Sequence, residues 1–167
     1  MTLLPSIFLL LIPIWMFLTN DASSHQIPTS RIVSIIQLSH IQDYPSVNSH
    51  LYGYVLDPEY VEHIRFYYGG ALSQIALALS FSKNVAAVTY WDNIFFASDK
   101  YIYSPSLLAH ELVHTVQYKK PFLLYHALRY IYYWLFKGYY QVPYEIEAME
   151  FQRVIQNILY PPSFTEI

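Results

Sequence analysis

The sequence predicts an α+β fold, in which one small domain follows an N-terminal hydrophobic segment. The length of 167 residues suits a single domain with one core. Two short runs of β-branched and aromatic residues flank a turn, which is typical of a hairpin. Helix-start signals that contain proline recur at Asp57-Pro58, Ser104-Pro105 and Pro143.

Composition excludes several functional classes. Charged residues make up 13% of the chain, against about 25% in typical soluble domains, and the formal net charge is -3. These values argue against a disordered chain and against a nucleic-acid partner held by a basic surface. The absence of cysteine excludes disulfide scaffolds, zinc fingers, iron–sulfur clusters and thiol nucleophiles. The 18 tyrosines outnumber the 9 lysines and arginines, which suggests contact with a membrane surface or a partner.

Residues 1–22 are expected to export or anchor the chain. Residues 1–20 carry no charged side chain, and the apolar run 7–18 has the length of the hydrophobic part of a signal peptide. Pro5 and Pro13 argue against one continuous spanning helix. The segment therefore predicts a signal peptide or an N-terminal membrane anchor, and a buried N-terminal segment is the alternative.

Residues 57–167 are predicted to form the domain, whereas the mixed pattern of residues 23–56 supports no assignment. A helix is expected to begin at Pro58 with Asp57 as its N-cap, and to continue towards the interruption at Gly69-Gly70. A second, buried helix is expected over 71–79.

A β-hairpin and a third helix are predicted next. Residues 85–90 and 94–97 are short β-type runs joined through Trp91-Asp92-Asn93. Ser104 then caps a helix that has Pro105 at its first position. This helix carries the residues that indicate a chemistry.

The third helix contains the sequence HELVH, in which His110, Glu111 and His114 match H-E-x-x-H. Positions i and i+4 lie on one face of an α-helix, so two imidazoles there can converge on one ion. Glu111 lies about 100° around the helix, where it can take a proton from a metal-activated water without being a ligand. The motif predicts a zinc site with Glu111 as its catalytic base.

The third zinc ligand is expected downstream, because a catalytic zinc has three protein ligands and one open position. The other histidines are isolated, whereas the sequence PYEIEAME predicts a helix that begins near Pro143 and carries several acids. Glu145 and Glu147 are two residues apart and point to different faces, so at most one can join His110 and His114. Spacing alone does not choose between them, and a solvated helix start is the alternative for both.

The segments HELVHTVQY and PYEIEA resemble the gluzincin type of zinc peptidase, with its E-x-x-A third-ligand helix. More closely, they are similar to the zincin-like domain named for the core of extracellular contractile injection systems. Members of that family carry H-E-L-x-H-x-x-Q and often continue into Pro-Tyr-Glu-x-Glu-Ala. The resemblance covers residues 85–151 and implies a small zincin-like domain with a short sheet, an HExxH helix and a C-terminal ligand helix. It implies Glu145, three residues before Ala148, as the third ligand and Glu147 as the reserve.

The resemblance implies hydrolysis of a peptide or protein substrate. Zn²⁺ would be held by His110, His114 and Glu145, and Glu111 would act first as general base and then as general acid. The alternative is a non-catalytic zincin fold that serves as a metal-stabilised binding or secretion-associated module at a membrane.

The resemblance also implies roles for residues around the metal. In zincins a strand edge beside the metal binds an extended peptide, and the run 94–97 is the matching piece by position. Gluzincins commonly place Asp or Asn directly after the alanine to steady a histidine, but Met149 stands there, which leaves Asp92 or Gln117 for that role. Candidates for the donor to a transition-state oxyanion are the nearby tyrosines Tyr101, Tyr103, Tyr118, Tyr140 and Tyr144.

The stretch 122–136 is apolar and aromatic, with lysines on both sides. It predicts a core helix that links the two ligand helices and directs Arg129 and Lys137 towards solvent. The alternative is a helix lying in the plane of a membrane surface, because tyrosine and tryptophan favour such interfaces.

Overall fold

The computed structural model describes residues 24–80, 85–119, 129–130, 132–133, 135–138 and 141–161. These residues form helices and one four-stranded sheet, which confirms the predicted α+β class. The predicted export or anchor segment, residues 1–22, lies outside the described residues. No helix in the described ranges is both long and apolar enough to cross a membrane.

The helices and strands are short except for the last two helices. The α-helices are α1 (Thr29–Leu38), α2 (Pro45–Asn48), α3 (Pro58–Val61), α4 (Gly70–Ala78), α5 (Pro105–Tyr118) and α6 (Pro143–Leu159). The strands are β1 (Gln26–Ile27), β2 (Arg65–Tyr68), β3 (Ala87–Tyr90) and β4 (Asn93–Phe96). Turns of 3₁₀ helix lie at Ile41–Asp43, Gly53–Leu56 and Asp99–Tyr103.

The strand order is β1-β2-β4-β3, with β2 and β4 parallel and the other pairs antiparallel. The predicted hairpin is confirmed as β3 and β4, joined by Trp91 and Asp92, and Trp91 has a positive φ of 54°. The peptide-binding edge expected at 94–97 is wrong, because β4 pairs with β2 on one side and β3 on the other. Among the described strands, β3 lies at this edge of the sheet.

The helix predicted from Pro58 is shorter than expected. Asp57 caps it by accepting a hydrogen bond from the Glu59 N–H at 2.9 Å, as predicted, but the helix ends at Val61. Arg65–Tyr68 forms the strand β2, which pairs with β1 and β4. Hydrogen bonding to a strand on each side outweighs the local pattern that favours a helix here. The sequence alone cannot show this pairing, because the partner strands are distant in the chain.

Residues 26–56, which had no assignment, contribute to the same core as α5. They supply β1, and their apolar side chains Ile32, Ile36, Ile41 and Val47 are at most 1% exposed. These side chains belong to the cluster that contains Leu112 of α5. The segment therefore supports the helix that carries the motif.

The two faces of the sheet pack against different helices. Ala87 and Thr89 of β3 are buried on the side of α5, whereas Val88 packs in the cluster that contains Ala76 of α4. Helix α4 confirms the helix predicted over 71–79, but the helix is only partly buried, whereas a buried one was expected. Ile75 is 45% exposed because α4 covers the sheet with one side only.

The described part of the aromatic stretch is helical at 129–130, 132–133 and 135–137. Three of its side chains are more than half exposed, namely Tyr132, Leu135 and Phe136. These three side chains are not part of the core, and positions 122–128, 131 and 134 of the stretch lie outside the described residues.

Candidate metal centre

Helix α5 begins as the sequence predicts and passes through the centre of the core. The Ser104 hydroxyl accepts a hydrogen bond from the Leu107 N–H at 3.3 Å, and Pro105 is the first helical residue. Further along the helix His110 is 7% exposed and Glu111 is 4% exposed. The helix therefore holds both side chains away from bulk water.

Helix α6 presents one buried stripe to α5, and Glu145 lies on it. The stripe consists of Glu145, Ala148, Phe151 and Ile155, which follow one another at intervals of three or four residues. Glu147 lies beside the stripe and is only partly buried. The helical phase set by the three apolar residues therefore turns Glu145, not Glu147, towards the histidines.

The side chains of His110, His114 and Glu145 form a nearly equilateral triangle. The two Nε2 atoms are 3.2 Å apart, and each lies 3.5 Å from Oε2 of Glu145. All three residues are buried or nearly so, and together they form a group that could hold a metal ion. The structure thus brings together the three residues that were predicted as ligands.

The donor set of this triangle fits a divalent metal. In a tetrahedral zinc site with bonds of about 2.0–2.1 Å, neighbouring ligand atoms lie about 3.3–3.4 Å apart, close to the spacing found here. Two imidazoles and one carboxylate suit zinc as well as several other divalent metals. Burying these groups together is costly unless a cation compensates them, which is the physical argument for a metal at this point.

The outer nitrogen of His114 is held by Gln117. Nδ1 of His114 lies 2.7 Å from Oε1 of Gln117, an oxygen that can only accept, so Nδ1 carries the proton. In the neutral imidazole, Nε2 therefore keeps its lone pair, and it points at the other two ligand atoms. Of the two residues expected to steady a histidine, Gln117 does so, whereas Asp92 pairs with Lys119 at 2.8 Å.

The outer nitrogen of His110 differs from that of His114. Nδ1 of His110 is buried and has no hydrogen-bond partner among the described residues. Met149, at the position where the resemblance would place Asp or Asn, offers only a thioether sulfur, which is a weak acceptor. Among the described residues, the outer nitrogen of His114 therefore has a hydrogen-bond partner, and that of His110 has none.

Glu111 is held by a residue that the sequence analysis missed. The Thr89 hydroxyl donates to Oε2 of Glu111 at 2.7 Å, and both side chains are buried. Thr89 and Ala87 are two residues apart on the inward face of β3, so strand periodicity could have predicted that Thr89 is buried, but not which residue it contacts. This bond fixes the orientation of the carboxylate.

Electrostatics couple α5 and α6 across the triangle. Burial by itself lowers the pKa of His114, but the charge of Glu145 and the hydrogen bond to it outweigh burial and raise the pKa to about 9. Glu111 and Gln117 add to this increase. The metal-free site thus attracts a proton strongly, as expected of a cluster built around a carboxylate.

The structure separates the tyrosine candidates. Burial, followed by Tyr90, Glu145 and Glu111, raises the pKa of Tyr118 to about 12, so it lies within the field of the site. For the other four candidates the structure gives different surroundings. Tyr101 packs against the main core, and Tyr103 is 55% exposed. The backbone carbonyl oxygen of Tyr144 accepts a hydrogen bond from Gln117, and Tyr140 lies outside the described residues.

One tyrosine that the sequence analysis did not single out also reaches the site. The Tyr130 hydroxyl lies 3.4 Å from Oε1 of Glu145, the carboxylate oxygen that does not form the triangle. Burial first, and then the charge of Glu145, raise the pKa of Tyr130 above its ordinary value. No signal distinguished Tyr130 from the other aromatic residues of its stretch.

The comparisons with known proteins support part of the family assignment. No curated protein and no solved structure matches the chain. The family model described as the eCIS core domain matches residues 58–121, which extend from α3 to just beyond α5 and include His110, Glu111 and His114. The match starts earlier than the likeness expected over 85–151, and it ends before Glu145. Within the chain, residues 58–121 are thus similar to the eCIS core domain.

Proposed function

We propose that this protein is a zinc-dependent metallopeptidase. The single observation that carries the proposal is the buried triangle of His110, His114 and Glu145 with Glu111 beside it on the same helix. A site that only stabilised the fold would need no buried, oriented carboxylate next to the ligands. The histidines and Glu145 would hold the metal, and Glu111 would be left for proton transfer.

The reaction would be the hydrolysis of an amide bond. Zinc bound in such a site acts as a Lewis acid and activates water. Glu111 would accept a proton from the attacking water and pass it to the leaving nitrogen. The hydrogen bond from Thr89 would keep the Glu111 carboxylate in one orientation during both transfers.

Two tyrosines could assist this reaction. The raised pKa values of Tyr118 and Tyr130 keep both hydroxyls protonated at neutral pH, so each can donate a hydrogen bond. We propose that one of them stabilises the negative charge that develops on the substrate carbonyl oxygen.

The substrate would be an extended peptide or a segment of a protein. Strand β3 lies at the edge of the sheet as described, and its Thr89 contacts the general base. A peptide that paired with β3 would therefore run past the site as an added strand.

The protein would act outside the cytoplasm or at a membrane. The apolar run 7–18 within residues 1–22 supports export or anchoring, and the exposed Tyr132, Leu135 and Phe136 support contact with a membrane surface. Fractionation of cells that make the full chain would test this, and recovery entirely in the soluble cytoplasmic fraction would contradict it.

The test of the activity compares the wild-type chain with Glu111→Gln and with Glu150→Gln. We expect all three to bind about one equivalent of zinc by plasma mass spectrometry, because neither glutamate is a ligand. Glu111→Gln should lose peptide hydrolysis, whereas Glu150→Gln changes an exposed residue of α6 and should keep it. Loss of zinc in Glu111→Gln would show that its assigned role is wrong.

A second candidate function is a non-catalytic module that binds or assists secretion with a metal-stabilised zincin fold. The observation that favours it is the buried Nδ1 of His110, for which the described residues offer no partner. A ligand without an outer hydrogen bond is less well oriented and less basic. Stoichiometric zinc without hydrolysis of any member of a peptide library would support this function over the first.

A further inference from the structure

Gln117 of α5 uses both the oxygen and the nitrogen of its amide group, and the nitrogen connects α5 to α6. Oε1 faces Nδ1 of His114 at 2.7 Å, and Nε2 donates to Oε2 of Glu147 at 3.1 Å and to the Tyr144 carbonyl oxygen at 3.0 Å. Because both neighbours of Nε2 are acceptors, the amide has one orientation that satisfies all of these bonds. In that orientation the oxygen is directed at the histidine.

Glu147 fixes the Gln117 amide from the other side. Its Oε2 accepts from Gln117 and also from the hydroxyl of Tyr52. Tyr52 is 4% exposed, and burial first, with the hydrogen bond to Glu147 second, raises its pKa above the ordinary range. The Tyr52 hydroxyl therefore stays protonated at neutral pH and donates to Glu147. The two donors, the Tyr52 hydroxyl and Nε2 of Gln117, together hold the Glu147 carboxylate in place.

Tyr52 comes from the part of the chain that precedes the family match. Its own position is set locally, because the Tyr52 N–H donates to Nδ1 of His50 at 3.2 Å. The His50 ring in turn stacks on Phe151 of α6 with ring centroids 4.6 Å apart. The segment before α3 is thus attached to the same helix that supplies Glu145.

We propose that Tyr52 and Glu147 are positioning residues that set the metal affinity of the site through Gln117 and His114. The proposal rests on the metal centre proposed above and adds residues on either side of the family match to it. The chain of hydrogen bonds runs from the Tyr52 hydroxyl to Glu147, from Gln117 to Glu147, and from His114 to Gln117. It holds the proton of His114 on Nδ1 and thereby presents Nε2 as a ligand.

The charge of Glu147 contributes through the amide. A carboxylate that accepts from Nε2 polarises the Gln117 amide, which makes Oε1 a stronger acceptor for the His114 N–H. A stronger acceptor on Nδ1 makes the imidazole a more basic ligand. Glu147, which was predicted as the alternative ligand, therefore influences the metal through Gln117 and His114 and does not bind it directly.

The experiment measures zinc affinity by competition with a chelator, using the full chain and three variants. Glu147→Met removes the acceptor at similar volume and should weaken zinc binding by about 10- to 100-fold, which is the usual cost of losing an outer partner. Tyr52→Phe removes one hydroxyl and should weaken zinc binding by about 3- to 10-fold, since Gln117 keeps its other contacts. Tyr54→Phe is the matched control, because Tyr54 lies in the same turn but is 51% exposed.

A second measurement separates positioning from general stability. Urea unfolding of the metal-free proteins gives the stability change of each variant without zinc. If zinc affinity stays within about twofold of wild type in Glu147→Met and Tyr52→Phe, whatever their stability, the positioning role is wrong. If the wild-type chain itself binds no zinc, the metal centre proposed above is wrong. That outcome can be told apart from a failure of the positioning role, in which the wild-type chain and both variants bind zinc equally well.

Discussion

Helices α5 and α6 both contribute to the candidate metal centre, but they are buried in different ways. Nine of the 14 residues of α5 are buried, including polar ones, whereas 4 of the 17 residues of α6 are buried. Helix α5 lies between the sheet and α6, so functional side chains on several of its faces leave water. Helix α6 buries one stripe only, so its helical phase decides which carboxylate enters the site.

The largest effect should follow from removing a ligand on either helix. His110→Ala on α5 and Glu145→Ala on α6 should each reduce zinc content from about one equivalent to nearly none after dialysis, because two remaining ligands hold zinc poorly. Plasma mass spectrometry measures this directly. Glu150→Ala is the control on α6, since Glu150 is exposed and should leave the zinc in place. A Glu145→Ala protein that keeps its zinc would place the third ligand elsewhere.

The next largest effect concerns packing. Leu112 on α5 and Phe151 on the α6 stripe are both 0% exposed, so Leu112→Ala should lower the free energy of unfolding by about 2–5 kcal/mol and Phe151→Ala by about 3–5 kcal/mol. Gln156→Ala, on the exposed side of α6, should change it by no more than about 0.5 kcal/mol. Urea unfolding of the three variants tests the contrast. Equal costs at Phe151 and Gln156 would show that α6 does not bury a single stripe.

The smallest effect is a pH dependence of the contact between the two helices. In the metal-free protein burial lowers the pKa of His114 on α5, but Glu145 on α6, together with Glu111 and Gln117, outweighs burial and raises this pKa from 6.5 to about 9. The stability that this ion pair contributes is fully present below pH 6.5 and is lost as pH rises through about 9. Urea unfolding of the metal-free chain at a series of pH values measures it, and stability that rises over this interval would contradict the assignment.

Zinc binding should show the opposite trend over the same interval. A metal ligand must be deprotonated, so zinc displaces the proton of His114. The apparent zinc affinity should therefore increase by up to about tenfold per pH unit until about pH 9. Calorimetric titrations in buffers with different ionisation enthalpies would detect the released proton, and an affinity independent of pH would exclude this exchange.

The contrast between the two helices also explains which parts of the site could be predicted. On α5, the i to i+4 spacing of His110 and His114 is a property of one helix, so the sequence alone indicates a pair of ligands. On α6, the choice of Glu145 over Glu147 was available from the phase of Ala148, Phe151 and Ile155. The spacing of the two acids, which are two positions apart, carries less information than the apolar stripe.

Other features of the site could not be predicted because they join distant parts of the chain. The contacts of Thr89 with Glu111 and of Tyr52 with Glu147 span 22 and 95 residues. Helix α1, with ten residues, is long enough to show a period, whereas short elements such as β1 and α2 carry too few residues to show one. The same holds for β2, which becomes a strand because two neighbours pair with it.

The sequence by itself determined the features that depend on local geometry. These are the α+β class, the hairpin, the cap at Ser104 and the pair of histidines on one helical face. Tertiary structure alone decided that β3 is an edge strand among the described strands, that Gln117 and not Asp92 holds His114, and that Tyr52 reaches α6. The physical reason is that helix phase and capping act over a few residues, whereas hydrogen-bond partners across the core are set by how separate elements pack.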